Sequence, residues 1–173
     1  LNKWSSLQSN LTEDDQNYGL LLLGNAYSMY YNEKLFEDAG IEVPTDVESF
    51  MKAAEKLTKD TNGDGNPDIF GFASCQSTDT NFYNEASVFV VGQGGQWADK
   101  GDLSTMVSDE TVSALTNFQT IFKNNWSPSG LTVEQKRQYF TEGKIAMIFD
   151  GPWVGSLIAK TPEDIRENFK VAS

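Results

Sequence analysis

A short acidic and amide-rich segment is the part of the sequence whose side chains are best spaced to bind an ion. Its alternate residues occupy positions 1, 3, 5, 7 and 9 of a calcium-binding loop: Asp60, Asn62, Asp64, Asn66 and Asp68. Gly65 stands at position 6, where such loops turn sharply, but position 12, which usually supplies a bidentate glutamate, is Gly71. Pro67 also departs from a helix–loop–helix calcium site. The segment therefore predicts either a structural calcium site or a turn held by side-chain to backbone hydrogen bonds.

The composition argues against most catalytic chemistry. The 173 residues include no histidine, the residue that most general acid–base sites and many zinc sites use. The one cysteine, Cys75, cannot form an internal disulfide, and we expect it to be a buried apolar residue rather than a nucleophile. Carboxylates are numerous, but spacing singles out no pair, so a carbohydrate-active enzyme stays open as an alternative.

The net charge narrows the choice of partners. Lys and Arg total 13 and Asp and Glu total 25, which gives a formal charge of −12. This balance disfavours a nucleic-acid partner and docking to an anionic membrane surface. No stretch approaches the roughly 20 apolar residues that a membrane-spanning helix needs, so we expect no direct membrane insertion by this segment.

An aromatic residue beside a turn offers a second kind of site. Trp153 follows Gly151 and Pro152, which turn the chain from a predicted strand into a helix. An indole held at such an edge can stack on the C–H face of a sugar ring, and the alternative is a tryptophan of the core. Asp150, at the end of the strand, can accept hydrogen bonds from sugar hydroxyls or cap the next helix.

Alternating short strands and helices predict a layered α/β fold. Residues 145–149 are five apolar residues in a row, which predicts a central strand covered on both faces. Leu20 to Leu23 predicts a short buried strand. A capping box of Thr45 and Glu48 predicts one helix start, and Ser108 predicts another.

Four segments follow one another along the chain and read YNEKLFEDAGIEVPTDVESFMKAAEKLT, DTNGDGNPDIFGF, VVGQGGQW and FTEGKIAMIFDGPW. In this order they resemble the family 1 extracellular solute-binding proteins, the maltose-binding-protein-like group. The matches span about Tyr18 to Ser173, and the Gly-Pro-Trp that ends the last segment belongs to the family's most recognisable block. Asp46 departs from the pattern, since a tryptophan is common there, but this position concerns a helix start and not the ligand site.

The resemblance implies a two-lobed protein that closes over its ligand. Residues 1–173 would be a single partial domain, the contiguous part of the C-terminal lobe. That lobe would be a three-layer α/β unit of the type II periplasmic-binding-protein-like fold, truncated because the N-terminal lobe and the C-terminal helices are absent. The first residue, Leu1, is not methionine, which agrees with the expectation of a piece of a longer protein.

The implied function is the binding of a small solute, a sugar or oligosaccharide in the first place, for delivery to the permease of an ABC-type importer. The full-length protein would act outside the cytoplasm, as a periplasmic protein or a cell-surface lipoprotein. We expect no enzymatic activity and no cofactor other than the structural calcium considered above. The alternatives are a carbohydrate-active enzyme domain and a calcium-stabilised interaction module.

The resemblance also suggests which side chains face the ligand. The predicted ligand-binding set is Trp153, Tyr83, Phe82, Asn84, Asn25 and Asp150. Trp153 would be the stacking platform. Phe82 and Tyr83 precede an apolar helix whose start carries a ligand-facing aromatic residue in many family members, or they form a hydrophobic staple on that helix. By analogy Asn25 lies at a strand end on the hinge side of the cleft, and a turn residue is the alternative.

Overall fold

The computed structural model describes residues 12–13, 16–19, 24–76, 80–99 and 102–172. A two-stranded antiparallel ribbon comes first, made of β1 (Thr12–Glu13) and β2 (Gln16–Asn17). The main sheet contains β3 (Ser28–Asn32), β4 (Phe70–Ala73), β5 (Ile145–Asp150) and β6 (Phe169–Val171). The predicted strand at residues 20–23 lies outside the described residues.

The main sheet is mixed, with the order β4-β5-β3-β6. Strands β4 and β5 are parallel, whereas β3 is antiparallel to both β5 and β6. Strand β5 is therefore internal to the sheet, and five of its six residues are buried. This confirms the prediction drawn from the continuous apolar run at residues 145–149.

Helices connect the successive strands of the main sheet along the described part of the chain. In chain order they are α1 (Glu33–Ala39), α2 (Val47–Leu57), α3 (Thr80–Gly92), α4 (Asp109–Lys123), α5 (Val133–Thr141), α6 (Val154–Ile158) and α7 (Glu163–Arg166), with a 3-10 helix at Leu103–Val107 between α3 and α4. As predicted, Ser108 caps α4, because its hydroxyl accepts a hydrogen bond from the Thr111 N–H.

Two apolar clusters sandwich the sheet. The first joins Phe50 of α2, Phe89 of α3 and Phe118 of α4 to one face. The second joins Phe140 of α5 and Val154 of α6 to the other. The structure is thus a helix–sheet–helix arrangement, which confirms the predicted three-layer α/β fold.

The start of α2 differs from the prediction by one residue. Asp46, not Thr45, is the N-cap, and its Oδ1 accepts a hydrogen bond of 2.7 Å from the Ser49 N–H. The Ser49 hydroxyl in turn accepts from the Asp46 N–H at 3.2 Å, so the capping box is Asp46–Ser49 rather than Thr45–Glu48. Aspartate is the stronger N-cap, which explains the shift.

Candidate functional site

One edge of the main sheet brings together the segments that carry the predicted ligand site. Because β4 and β5 are parallel, their carboxyl ends lie at the same edge. Because β3 is antiparallel to β5, its first residue lies there too, and Ser28 pairs with Asp150. Open α/β sheets bind ligands in the crevice beyond the carboxyl ends of their strands. We call this region, with the first turns of α3, the site edge.

Trp153 is held at the site edge by its own neighbours in the sequence. Its indole Nε1–H donates a hydrogen bond of 2.6 Å to Asp150 Oδ1, and 38% of the residue is exposed. A Cβ atom at Gly151 would overlap the indole ring, so a glycine is required where the ring lies against the backbone. The Gly-Pro-Trp turn therefore fixes a half-exposed indole in one place.

Tyr27 contributes a second aromatic ring and a phenol. Its ring meets that of Trp153 edge to face, with centroids 6.1 Å apart. Its hydroxyl donates to Asn81 Oδ1 at 3.3 Å, and the Asn84 side chain lies beside it. Burial raises the pKa of Tyr27 above its ordinary value of 10.0, so the phenol is a neutral hydrogen-bonding group at pH 7.

A fully buried lysine lies beneath these groups. Lys136 of α5 donates to Glu85 of α3 at 2.6 Å and to the Phe149 carbonyl at 2.9 Å, and its Nζ is 3.1 Å from Asp150 Oδ2. The side chains of Lys136, Glu85 and Asp150 are all 0% exposed. The second oxygen of Glu85 accepts from the Cys75 N–H at 3.1 Å, just beyond β4. This network ties α3, α5, β4 and β5 together at the site edge.

Arg137 completes the set of charges. Its Nε and Nη2 donate two hydrogen bonds of 2.8 Å to the two carboxylate oxygens of Asp150, and its guanidinium lies 5.7 Å from the centroid of the Trp153 ring. Burial alone would raise the pKa of Asp150. The hydrogen bonds from Arg137 and the charges of Lys136 and Arg137 outweigh burial, and they hold the pKa below its ordinary value of 3.8.

The network determines what the site can do chemically. Glu85 and Asp150 are buried and engaged by Lys136 and Arg137, and the four charges sum to zero. A glycosidase needs two carboxyl groups that flank the substrate, one of them able to give up a proton. The carboxylates at the site edge are instead turned into the protein, and the half-exposed groups that they support are an indole, a phenol and amides.

The structure separates the residues of the predicted ligand set. Asn84 joins Trp153 and Tyr27 at the site edge. Phe82 and Tyr83 lie on other faces of α3, where Phe82 meets Phe118 of α4 and Tyr83 meets the ring of Trp97. Both remain partly exposed, at 39% and 53%. Asn25 is exposed in the segment before β3.

Asp150 lies at the site edge, but it does not cap the helix that follows. It is fully buried, and its oxygens accept from Arg137, Trp153 and the Gly151 N–H. Helix α6 has Trp153 as its N-cap and no side-chain capping bond, so the prediction that Asp150 caps this helix is wrong. The carboxylate supports Trp153.

The segment from Asp60 to Asp68 forms a turn that its own side chains hold together. Asp60 accepts hydrogen bonds from the backbone N–H groups of Asn62, Gly63 and Gly65. Asp64 accepts from the Asn66 N–H at 2.8 Å. Asp68 accepts from both the N–H and the hydroxyl of Thr61 and from the Asn62 amide. These bonds lower the pKa values of Asp60 and Asp68.

This arrangement corresponds to the turn alternative. Across the described ranges no three His, Cys, Asp or Glu side chains are grouped so as to hold a metal ion. Gly71, at position 12 of the calcium pattern, lies in β4, where a Cβ atom would collide with the Ala54 backbone of α2. No glutamate ligand can be accommodated there without moving the helix.

A separate pocket of about 260 Å³ opens beside α2 and α3. Its lining is mainly apolar and includes Met29, Phe50 and Phe149, but neither Trp153 nor Asp150. Ligand sites combine apolar surface with placed polar groups, and the site edge meets that description better.

Sequence reasoning missed Glu85, Lys136 and Arg137. One signal was available, because Glu85 is the single charged residue in the 13 residues of α3. A lone charge on an otherwise apolar helix is usually paired when it is buried. Lys136 gave no comparable signal, since its immediate neighbours in the sequence are also polar or charged.

Nearly the whole chain matches one known protein family. The family described as bacterial extracellular solute-binding protein matches residues 2–172. The chain belongs to this family. Its relatives are thus solute-binding proteins and not enzymes, and the family is by description extracellular.

Solved members of the solute-binding family share the fold. An ABC transporter solute-binding protein of Thermotoga lettingae, bound with alpha-D-tagatose, is 25% identical with a TM-score of 0.80, and the match covers 98% of this chain and 44% of that one. Maltose-bound MalE3 of T. maritima is 21% identical with a TM-score of 0.77, covering 96% and 42%. A candidate binding protein of Brucella abortus is 24% identical over 157 residues, 88% of this chain and 37% of the relative. The chain therefore spans about two fifths of the length of these proteins.

No helix in the described part of the chain has the length and apolar character to cross a membrane.

Proposed function

We propose that this chain is the ligand-binding part of one lobe of an ABC importer's solute-binding protein and that its solute is a sugar or a related polyol. The observation that carries the proposal is the half-exposed Trp153 indole, held rigidly at the site edge beside the Tyr27 phenol and the Asn84 amide. An aromatic face can pack on the C–H groups of a sugar ring, while the amides and the phenol can meet its hydroxyls.

The charge balance of the site edge favours a neutral solute. Lys136 and Arg137 are already compensated by Glu85 and Asp150. An anionic solute would lose hydration without gaining an uncompensated cation from this network, and a cationic solute would lack a free carboxylate there. The tagatose bound to the Thermotoga lettingae relative agrees with this proposal.

The context of the full-length protein is part of the proposal. A second lobe would close over the solute, the closed form would dock on the permease, and the protein would act in the periplasm or as a cell-surface lipoprotein. The lobe would perform no chemistry on its solute.

The test is a thermal-shift screen of a form of the protein that carries both lobes, against neutral sugars, polyols, amino acids and organic acids. Hits are confirmed by calorimetry, with Trp153→Ala as the loss variant and Trp97→Phe as the control, because the Trp97 indole N–H donates to Ser87 and not to Asp150. We expect one or a few neutral sugars or polyols to raise the melting temperature, and we expect the bound solute to be recovered chemically unchanged. Stabilisation by charged solutes alone would refute the solute class, and turnover of a bound glycan would refute the binding function.

A further inference from the structure

Arg137 contacts Trp153 in two ways. Its guanidinium lies 5.7 Å from the ring centroid, and it also donates two hydrogen bonds to the Asp150 carboxylate, which accepts the indole N–H. Asp150 Oδ1 is shared, since it accepts from both Arg137 Nη2 at 2.8 Å and Trp153 Nε1 at 2.6 Å. The position of the indole is therefore coupled to that of the guanidinium.

The two hydrogen bonds between Arg137 and Asp150 can fix the orientation of the carboxylate. Two parallel N–H···O bonds fix the plane of the Asp150 carboxylate as well as its position, which a single ammonium cannot do. The carboxylate plane in turn fixes where the indole N–H points. The ring is 38% exposed, so its exposed side has no protein packing to orient it, and a platform that is already ordered loses less entropy when a ligand arrives.

We propose that Arg137 is a positioning residue for Trp153: through the shared Asp150 carboxylate and its place over the indole, it holds the ring in the orientation that receives the solute. The proposal rests on the role proposed above for Trp153. Arg137 touches no ligand in this scheme.

A merely structural role for Arg137 makes a different prediction. Asp150 is also paired with Lys136 at 3.1 Å and accepts the Gly151 N–H at 2.8 Å, so it keeps two buried partners when Arg137 is replaced. The Arg137 side chain is 19% exposed, whereas that of Lys136 is fully buried. Replacing Arg137 should therefore loosen the indole more than the core of the lobe.

The first experiment observes the indole directly and needs no ligand. The chain has four tryptophans, and ¹H–¹⁵N spectra with Trp153→Phe assign the Trp153 indole signal. In Arg137→Gln we expect its Nε1–H to exchange with solvent roughly fivefold faster, the factor for the net free energy of one ordinary hydrogen bond. Arg137→Lys should lie between Arg137→Gln and the wild type, and the control Arg166→Gln, on α7, should change nothing.

Three results would overturn the proposal. One is an unchanged indole signal in a folded Arg137→Gln or Arg137→Lys. Another is equal acceleration of the β5 backbone amides, which would show global loosening. The third is failure of both variants to fold, which would make Arg137 a structural residue.

The second experiment uses a bound sugar or polyol from the screen and the two-lobed protein. Arg137→Gln should weaken binding by about threefold or more, and this loss should vanish in the Trp153→Ala background, since residues that act through one another are not additive. Equal losses in both backgrounds would overturn the proposal. If the screen finds no ligand, the solute-binding proposal fails, while the indole measurement still decides the role of Arg137.

Discussion

Replacing Lys136 by methionine tests whether the buried network holds the site edge together. The substitution keeps an unbranched side chain of nearly the same length but removes the positive charge that Glu85 contacts at 2.6 Å. Both side chains are 0% exposed, so Glu85 would be left as a buried carboxylate whose main remaining partner is the Cys75 N–H. Breaking a buried ion pair from one side costs about 3–5 kcal/mol.

That cost is a large part of the stability of a domain, which is about 5–15 kcal/mol. The measurement is urea unfolding of the chain followed by circular dichroism, in which a lower midpoint at an unchanged slope reports lost stability. The matched control is Lys144→Met, since Lys144 pairs with Glu142 on the surface with 54% of its side chain exposed, and we expect little change there.

A double mutant separates a buried charge from lost packing. Glu85→Gln keeps an acceptor for the Cys75 N–H but removes the charge that Lys136→Met leaves unpaired. The pair of substitutions should therefore destabilise the chain by at least about 1 kcal/mol less than the sum of the single effects. Additive losses, or a loss below about 1 kcal/mol for Lys136→Met alone, would refute the reasoning.

Three further predictions follow from the site edge and the acidic turn. In the two-lobed protein Trp153→Ala should weaken solute binding by about 1–3 kcal/mol, measured by calorimetry; normal affinity in the folded variant would exclude the stacking role. Arg137→Gln should lower the melting temperature at pH 7, and the difference from the wild type should narrow as the pH falls below 3.8. The lowered pKa of Asp150 stabilises the folded state while the carboxylate is ionised, and this stabilisation is lost as the carboxylate becomes protonated. A constant difference in melting temperature down to pH 3 would contradict the assignment of Asp150 as the partner of Arg137. Millimolar calcium should leave the melting temperature unchanged while Asp60→Ala lowers it, since Asp60 accepts three backbone N–H groups; a rise with calcium would instead establish the metal site.

Much of the fold could be predicted because its signals are local. The apolar run at residues 145–149 identified the central strand, and Ser108 identified the start of α4. The α2 start was missed by one residue because Thr45 and Asp46 are adjacent potential caps, and the prediction used the weaker of the two.

The candidate site was less predictable because its contacts join distant segments. Lys136 and Glu85 are 51 residues apart, and no local pattern marks them as partners. Phe82, Tyr83 and Asn84 are adjacent in the sequence but face different neighbours, since successive residues on a helix point about 100° apart. Trp153 could be placed because its turn is encoded by adjacent residues.

The buried charges join the stability of the lobe to the order of its binding surface. Asp150 accepts a hydrogen bond from the Trp153 indole and forms ion pairs with Lys136 and Arg137. Glu85, on α3, forms the second ion pair of Lys136. A change at Glu85 should therefore reach the indole through two intervening ion pairs, although Glu85 itself is fully buried. Variants that impair binding are consequently expected on α3 and α5 as well as at Trp153, and their effect should appear in the order of the indole before it appears as unfolding.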